Sequence, residues 1–302
     1  MKNNERTVAV SSCLLGENCK YNGGNNRNTT VQEMVEDCRV ISVCPEMLGG
    51  LPCPRVPAEI RDGRVVTGNG EDVDSFFRIG AEKALEAVKE ADLVILQPRS
   101  PSCGLYQVYD GSFSGSLVPG SGVFASLLRK NGINAVQAFE IRKTTEEDFR
   151  EVMEIYAEAR AFMAEHGNPN QWGPTVWPPE SLIHNDIREG KSYVCLSSGR
   201  IAGVFYFDFG EDIESTYRNI EEGSWIDDSA YGVVHRIATR GEIRGAGRFC
   251  IEWAFSKTGH LRIDTHPDNS VMQRLLKSSG FKDCGIIHVV EDNYPRIAFE
   301  RV

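Results

Sequence analysis

The first half of the chain alternates short runs of β-branched residues with a stretch of helical periodicity. The runs predict strands over Thr7–Ser11, Val40–Val43 and Leu93–Gln97. A helix is predicted from about Val73 to Glu90. Its apolar residues at helical spacing are Phe76, Phe77, Ala84, Leu85 and Val88. Strands alternating with helices are typical of an α/β domain with a mostly parallel sheet, a Rossmann-like arrangement.

The pattern restarts near residue 138. A second helix, Val123–Lys130, is followed by Asn131-Gly132, a common helix-ending pair. A strand into Arg142 comes next, and then Thr144 or Thr145 caps a helix that runs to about Ala164. Because 302 residues exceed the length of most single cores, we expect two domains, at 1–137 and 138–302.

Composition and charge narrow the classes of function. The chain is 41% hydrophobic and 25% charged, without the run of about 18 apolar residues that a membrane span needs. No leader-like segment opens it, so we expect a cytoplasmic protein with no membrane partner. The net charge is −10, and neither half is basic, which argues against duplex nucleic acid as a partner. Nothing in the sequence predicts an oligomeric state.

Three cysteines follow the three predicted strands of the first half. Cys13 and Cys44 come directly after the first two strands, and Cys103 lies in the loop after the third. In a parallel sheet these loops converge beyond the carboxyl ends of the strands. Three thiolates there could hold an iron–sulfur cluster with one open iron, or a zinc ion with one open position. Alternatively, the three side chains are small buried hydrophobes, since no CxxC pair is present.

The residues around these cysteines resemble a known family. In chain order, the segments are SSCLLGENCKYNGG (11–24), VCPEMLGGLPCPRVPAEI (43–60), TG (67–68) and QPRSPSCG (97–104). They are similar to the signature segments of the thiouracil desulfurase family, over nearly all of residues 6–135. The resemblance implies a 4Fe-4S cluster held by Cys13, Cys44 and Cys103, and removal of sulfur from a thiolated nucleobase or a similar small thio-compound.

The resemblance also implies candidates for proton transfer. Glu46 is the expected proton donor and acceptor, because the leaving sulfur and the incoming water both exchange protons. Ser100 or Ser102 could orient the thiobase or the water. Cys19 and Cys53 are left outside the expected ligand set, and Cys38 is expected in the core.

A glycine-rich turn in the second half predicts an anion site. The strand Val233–Ala238 leads into residues 240–247, and a helical run, Phe249–Phe255, follows. Backbone N–H groups at such a turn, at the start of a helix, favour phosphate groups. The cofactor-binding residues proposed here are Arg244, Gly245, Ala246 and Gly247. They resemble the coenzyme A motif of GNAT N-acetyltransferases, although Phe249 stands where glycine or alanine is usual.

Further segments extend the GNAT resemblance over nearly the whole second half. A strand, Leu261–Thr265, precedes HPDNSVMQRLLKSSGF, which is similar to a later GNAT segment that contacts the cofactor. Asn269 is expected to contact the pantetheine or to cap the helix Ser270–Lys277. The resemblance implies a mixed α/β domain that transfers an acetyl group from acetyl-CoA to an amine, and the acidic balance of this half favours a cationic acceptor.

Acetyl transfer needs a polarised carbonyl, a neutral amine and a proton donor to the thiolate. The N–H groups of the strand near Ile237 could polarise the carbonyl. His235 and Glu222 are candidate bases, and Tyr294 is a candidate acid. The aromatic residues that could wall an acceptor pocket are Trp172, Trp177 and Trp225.

These observations predict a two-domain enzyme, an iron–sulfur desulfurase joined to an N-acetyltransferase. Two alternatives remain open. The first domain could hold a structural zinc or no metal, which would leave the acetyltransferase as the active half. The second domain could bind acyl-CoA as a signal without transferring the acyl group.

Overall fold

The computed structural model describes residues 6–173, 176–289 and 294–302. The chain forms two compact units, Met1–Glu140 and Ile141–Val302. Among the described residues, every helix is too short or too polar to cross a membrane.

The first unit alternates strands and helices along the chain. Its elements are, in order, β1 (Thr7–Ser11), α1 (Thr29–Met34), β2 (Arg39–Val43), α2 (Pro45–Leu48), β3 (Ala58–Arg61), β4 (Arg64–Thr67), α3 (Asp74–Val88), β5 (Leu93–Leu96), β6 (Gln107–Tyr109), β7 (Leu117–Pro119), α4 (Val123–Lys130) and β8 (Ala135–Gln137).

A parallel four-stranded sheet lies at the centre of this unit. Its strand order is β2-β1-β5-β8, and β3–β4 and β6–β7 form two separate antiparallel hairpins. All four residues of β5 are buried, as expected for a central strand covered on both faces. The predicted α/β class with a mostly parallel sheet is confirmed.

Helix α2 packs closely against α3 because two glycines face each other. A Cβ on Gly80 would lie 1.9 Å from the carbonyl oxygen of Pro45, and one on Gly49 would lie 2.1 Å from that of Phe76. Side chains at these positions would force the helices apart. The Phe76 side chain, grouped with the apolar positions of α3, is 42% exposed, whereas the neighbouring Phe77 is buried. The apolar pair FF did not indicate which ring faces the core.

The second unit is built on a larger, mixed sheet. Its elements are β9 (Glu140–Lys143), α5 (Phe149–Glu165), α6 (Glu180–Arg188), β10 (Ser192–Ser197), β11 (Arg200–Gly210), β12 (Tyr231–Thr239), α7 (Ala246–Thr258), β13 (Leu261–Thr265), α8 (Ser270–Ser278), β14 (Lys282–His288) and β15 (Pro295–Arg301). Thr145 rather than Thr144 caps the 3₁₀ turn Glu146–Asp148 that leads into α5, through a capping box with Asp148.

The seven strands lie in the order β14-β15-β13-β12-β11-β10-β9. Strands β12 and β13 are parallel and pair at Gly232–Leu261 and Val233–Arg262, near their starts. On its other edge, β12 pairs antiparallel with β11, and the register shifts between Val204 and Tyr206. This shift marks a β-bulge at the level of Arg236, whose φ is +51°. The predicted mixed α/β fold of this half is confirmed.

Candidate functional site

The carboxyl ends of β1, β2 and β5 place three cysteines at one edge of the first unit's sheet. Cys13 lies in a short 3₁₀ turn after β1, and Cys44 is the N-cap residue of α2. Cys103 lies in the loop after β5 and is buried, as is Cys13. Burial raises the pKa of the Cys103 thiol, and the charges of Cys44 and Glu46 raise it further.

A fourth cysteine, Cys19, lies among them. Its side chain is buried, and it lines the same cavity as Cys44. The hydrogen bond to Cys13, burial and nearby charges raise the pKa of Cys19 to about 12, although the bond to Cys44 opposes this shift. Cys19 was left outside the expected ligand set, and its position was not predicted.

Glu46 is fixed by an arginine that the sequence analysis missed. Arg55 Nε donates to Glu46 Oε2 at 2.9 Å, and Arg55 Nη2 binds the same oxygen. Both side chains are largely buried, at 8% exposure for Arg55 and 15% for Glu46. The other carboxylate oxygen, Oε1, lies 3.5 Å from Ser100 Oγ. A charged, partly desolvated carboxylate therefore faces a hydroxyl group at the cysteine edge of the sheet.

The two serine candidates differ in position. Ser100 Oγ accepts hydrogen bonds from the N–H groups of Ser102 and Cys103, at 3.1 and 3.2 Å, so it also shapes the loop that carries Cys103. Ser102 is 1% exposed, and its hydroxyl has no partner among the described residues. Ser100 is thus the serine that contacts Glu46.

The two remaining cysteines of the first unit make other contacts. Cys53 Sγ donates to the carbonyl oxygens of Asn18 and Lys20, at 3.2 and 3.3 Å. Cys38, expected in the core, is only half-buried, and its thiol points to the carbonyl oxygen of Met34.

A cavity of about 340 Å³ opens beside the cysteines. Cys19 and Cys44 line it, together with Ser12, Glu17 and Ser42. Ser42 Oγ bonds both to Ser12 Oγ, at 2.7 Å, and to the Glu17 carboxylate. A small polar molecule could therefore reach the thiols through a lining of hydroxyl and carboxylate groups.

The thiols at this edge of the sheet suit a metal or metal cluster that takes sulfur ligands. Thiolates are the ligands that iron–sulfur clusters and zinc share, and the cysteine edge supplies thiols from three separate loops. Within residues 6–173, 176–289 and 294–302, no three His, Cys, Asp or Glu side chains are arranged to hold a single ion. In a cluster, by contrast, each thiolate binds a different iron.

In the second unit, a cavity of about 400 Å³ lies where β12 and β13 diverge. Residues 234–239 of β12 and 263–265 of β13 line it, as does Gly247 at the start of α7. Ile237 follows the bulge residue Arg236, so the bulge redirects the backbone at the cavity wall. Thr265 is 1% exposed, and its hydroxyl has no partner in the described part of the chain.

The start of α7 has the geometry of an anion site. Gly245, its N-cap residue, has φ +92° and ψ −11°, and no side chain caps the helix. The N–H groups of Ala246 and Gly247, in the first turn, thus have no N-cap side chain that would compete with a ligand. Phe249 is fully buried, so its ring packs into the core instead of covering this turn. Arg244 is exposed beside it.

Two carboxylates flank His235 on the cavity wall. His235 Nε2 is 3.2 Å from Glu214 Oε2, and His235 Nδ1 is 3.8 Å from Asp264 Oδ1. Tyr217 donates its hydroxyl to Asp264 Oδ1 at 2.8 Å. Burial opposes ionisation of Glu214, but the nearby His235 ring and the bonds from Thr216 lower its pKa to about 2. Glu214 and Asp264 were not predicted from the sequence.

The other predicted residues of this unit occupy varied positions. Asn269 lines the cavity and also caps α8, accepting from the N–H of Met272 at 3.0 Å. Trp172 and Trp177 line the cavity. Trp225 packs on Tyr217 instead, with ring centroids 5.1 Å apart.

Two candidates lie apart from the cavity lining. Glu222 is exposed in the loop between β11 and β12. Tyr294 is 46% exposed and packs edge-on against His266. The structure does not place either of them with His235.

Known proteins resemble the first unit. The family model for 2-thiouracil desulfurase matches residues 8–140. The uncharacterized protein YbbK of Bacillus subtilis (strain 168) is 40% identical over 146 residues, which are 44% of this chain and 97% of YbbK. A solved structure of the [4Fe-4S]-dependent thiouracil desulfidase TudS is 34% identical, covers 51% of this chain and 99% of its own, and gives a TM-score of 0.41.

The second unit resembles acetyltransferases. A crystal structure of a GNAT-family acetyltransferase from Streptococcus agalactiae 2603 is 28% identical to this chain. The similarity covers 55% of this chain and 96% of the streptococcal one, with a TM-score of 0.51.

Proposed function

Because residues 8–140 place this chain in the 2-thiouracil desulfurase family, we propose that its first unit removes sulfur from a thiolated nucleobase or a similar small thio-compound. The observation that carries the proposal is the juxtaposition of strand-end thiols with a fixed carboxylate. Cys13, Cys44 and Cys103 would hold a 4Fe-4S cluster, the cofactor named for the relative TudS. When bound, such a cluster with one open iron supplies a Lewis acid that accepts sulfur.

Side chains of the protein would transfer the protons in this reaction. Replacing a C=S bond with C=O consumes one water molecule and releases hydrogen sulfide. Glu46 would take a proton from the attacking water and return it to the leaving sulfur. Arg55 keeps the Glu46 carboxylate oriented, and Ser100, at 3.5 Å from it, would position the water or the base. Ser102, with its buried hydroxyl, remains the second choice for that role.

The test of the desulfurase begins with anaerobic purification, visible absorbance, and iron, sulfide and zinc analysis. Wild-type protein should be brown and should release sulfide from 2-thiouracil. Changing Cys13, Cys44 or Cys103 to alanine should abolish the colour. Cys38→Ala is a matched control that removes a thiol of the same unit away from the site and should keep the colour. A colourless wild-type protein that contains zinc would support the zinc alternative and contradict the desulfurase.

For the second unit we propose transfer of an acetyl group from acetyl-CoA to an amine. The supporting observation is one cavity that joins the uncapped start of α7 to the acidic cluster at His235. The N–H groups at Gly245, Ala246 and Gly247 would bind the pyrophosphate, with Arg244 as an exposed counter-charge. The N–H of Ile237, beside the bulge, would polarise the thioester carbonyl.

The acceptor amine would lie at the acidic end of the cavity. The Glu214 carboxylate attracts an ammonium group, and His235 would accept its proton so that the neutral amine can attack. Glu214 and Asp264 lie 3.2 and 3.8 Å from the two ring nitrogens of His235. Tyr294 and Glu222, away from the cavity lining, are weaker candidates for proton transfer. The bond between carbonyl carbon and sulfur breaks, and the thiolate leaves as coenzyme A.

Calorimetric titration with acetyl-CoA, paired with a turnover assay on a panel of amines, tests this proposal. Binding with turnover on at least one amine is the expected result. Tight binding without turnover on any amine would favour the acyl-CoA sensing alternative. His235→Gln should reduce turnover and leave acetyl-CoA binding unchanged, because His235 lies at the acceptor end.

A further inference from the structure

One residue of strand β12 has an unusual backbone conformation. Arg236 has φ +51°, and among the described residues it is the only non-glycine residue inside a strand with a positive φ. A left-handed backbone is unfavourable for a residue with a Cβ, whereas glycine adopts it readily. Such strain persists only where neighbouring groups hold it, and it is common at active sites. The side chain of Arg236 is therefore expected to be held in place.

A buried aspartate of helix α6 holds the Arg236 side chain. Asp186 Oδ2 accepts hydrogen bonds from Arg236 Nη2 at 2.8 Å and from Arg236 Nε at 3.1 Å. The Asp186 side chain is 5% exposed and that of Arg236 is 14% exposed, so water screens this ion pair little. The guanidinium also lies over the ring of Tyr206 in β11, 4.5 Å from its centroid. Contacts with two other elements thus fix the direction of the Arg236 side chain.

The backbone at Arg236 forms part of the wall of the cavity in the second unit. The register of β11 against β12 shifts between Val204 and Tyr206. The intervening Phe205 therefore faces two residues of β12, Arg236 and Ile237, and both of these line the cavity. The peptide that joins Arg236 to Ile237 carries the N–H proposed to polarise the thioester carbonyl. Because this peptide is planar, the dihedral angles of Arg236 set the direction of that N–H.

We propose that Asp186 is a positioning residue for acetyl transfer, which holds the left-handed backbone of Arg236 and thereby keeps the N–H of Ile237 directed at the thioester carbonyl. This inference rests on the acetyl transfer of the proposed function. Asp186 does not line the cavity, so its carboxylate acts through the Arg236 guanidinium and exchanges no proton with a substrate. Without the ion pair, a residue with a Cβ relaxes from the left-handed conformation, whereas glycine keeps access to it.

Two double variants of the full-length protein test the proposal, because both lack the ion pair and differ only in a Cβ. They are Asp186→Asn/Arg236→Ala and Asp186→Asn/Arg236→Gly, assayed with the best amine of the panel. The strain of a left-handed residue corresponds to a population difference of about 5- to 30-fold, so kcat should be lower in the alanine variant than in the glycine variant by up to that factor. Binding of coenzyme A, which has no acetyl group, should be equal in both variants by calorimetry.

The single variant Asp186→Asn keeps the size of the side chain and provides a second test. It should lower kcat when residue 236 is arginine, and it should leave kcat unchanged in the Arg236→Gly background, where the backbone does not depend on the carboxylate. Glu252→Gln is the matched control. It removes the charge of another buried carboxylate, paired with Arg301 Nη1 at 3.0 Å outside the cavity lining, and should leave kcat of the folded protein unchanged.

The outcomes separate this inference from the proposed function. A wild-type protein that acetylates no amine overturns both. Equal kcat values for the alanine and glycine double variants, in an active wild-type background, overturn the positioning role and leave acetyl transfer standing. The same conclusion follows if Asp186→Asn lowers kcat no more than Glu252→Gln does. Urea unfolding gives the folded fraction of each variant, so that a loss of folded protein is not counted as a loss of turnover.

Discussion

Replacement of Gly245 by alanine tests the proposed anion site at the start of α7. The residue has φ +92°, a left-handed backbone that costs an L side chain roughly 1–2 kcal/mol. Alanine also restricts the unfolded chain, which offsets about 0.4–1 kcal/mol of this strain in a measurement of the free energy of unfolding. No such offset applies to acetyl-CoA binding, since the free and bound states are both folded.

The strain must therefore appear in one of two measurements. If the turn keeps its conformation without ligand, Gly245→Ala lowers the free energy of unfolding by up to about 1.5 kcal/mol. If the turn relaxes until acetyl-CoA binds, the dissociation constant rises by up to about 5- to 30-fold. Urea unfolding and calorimetric titration measure the two quantities on the same preparation.

Gly241→Ala is the matched control, because it makes the same change in the same turn. Gly241 has no positive φ, and a Cβ there would meet nothing within 4 Å. This variant should match wild-type protein in both measurements. If Gly245→Ala also matches wild-type protein in both, the left-handed backbone at this turn is not required for acetyl-CoA binding, and the proposed anion site is wrong.

Two further predictions concern carboxylates of the second unit, Glu300 in the core and the partly exposed Glu214. Glu300 is fully buried and accepts hydrogen bonds from His260 Nε2 at 2.7 Å and Arg262 Nε at 2.9 Å. Glu300→Ala would leave these groups buried without their carboxylate. It should therefore lower the free energy of unfolding, measured in urea, by about 3–5 kcal/mol. Burial opposes ionisation of Glu300, but these bonds and the N–H of Ile226 lower its pKa. The stabilisation from Glu300 is therefore complete above the pKa of a glutamate in the unfolded chain, about 4.3. It is lost as pH falls through the lower pKa that Glu300 has in the folded protein. Glu214→Gln should lower acetyl transfer by about 10²-fold through loss of the charge beside His235, measured with the best amine of the panel. Since the pKa of Glu214 is about 2, the wild-type pH–rate profile should carry no step from this group above about pH 4.

Exposed acids of the same unit are the controls for both predictions. Glu242 forms a surface pair with Arg200, and Glu242→Ala should change stability little, because water screens that pair. A loss as small for Glu300→Ala would show that the buried network adds no stability. Asp212→Asn removes an exposed charge two residues before Glu214 and should leave turnover unchanged. Equal losses for Asp212→Asn and Glu214→Gln would indicate a long-range charge effect instead of a contact with His235.

The ends of strands could be predicted from the sequence because they depend on local pattern. The predicted bounds of β1, α4 and β13 coincide with those observed, and α3 differs by one or two residues at each end. Since parallel strands carry their following loops to one edge, the strand ends predict that the loops of Cys13, Cys44 and Cys103 lie at that edge.

Contacts between loops could not be predicted in the same way. Arg55 reaches Glu46 across the turn after α2, and Cys19 lines one cavity with Cys44 because its loop folds back over Cys13. Glu214 and Asp264 approach His235 from different elements, and neither carries a local signal of its role. Such contacts depend on how loops close, which periodicity does not encode.

The order of the strands in the first unit's sheet determines when its cysteine loops can come together during synthesis of the chain. The central pair, β1 and β5, brings together the loops of Cys13 and Cys103, which leave the ribosome far apart in time. A nascent chain that ends before β5 therefore has Cys13, Cys19 and Cys44 but no complete edge to hold them. If the first unit holds the proposed cluster, its loops meet only after β5 docks, so iron and sulfide would enter a folded pocket.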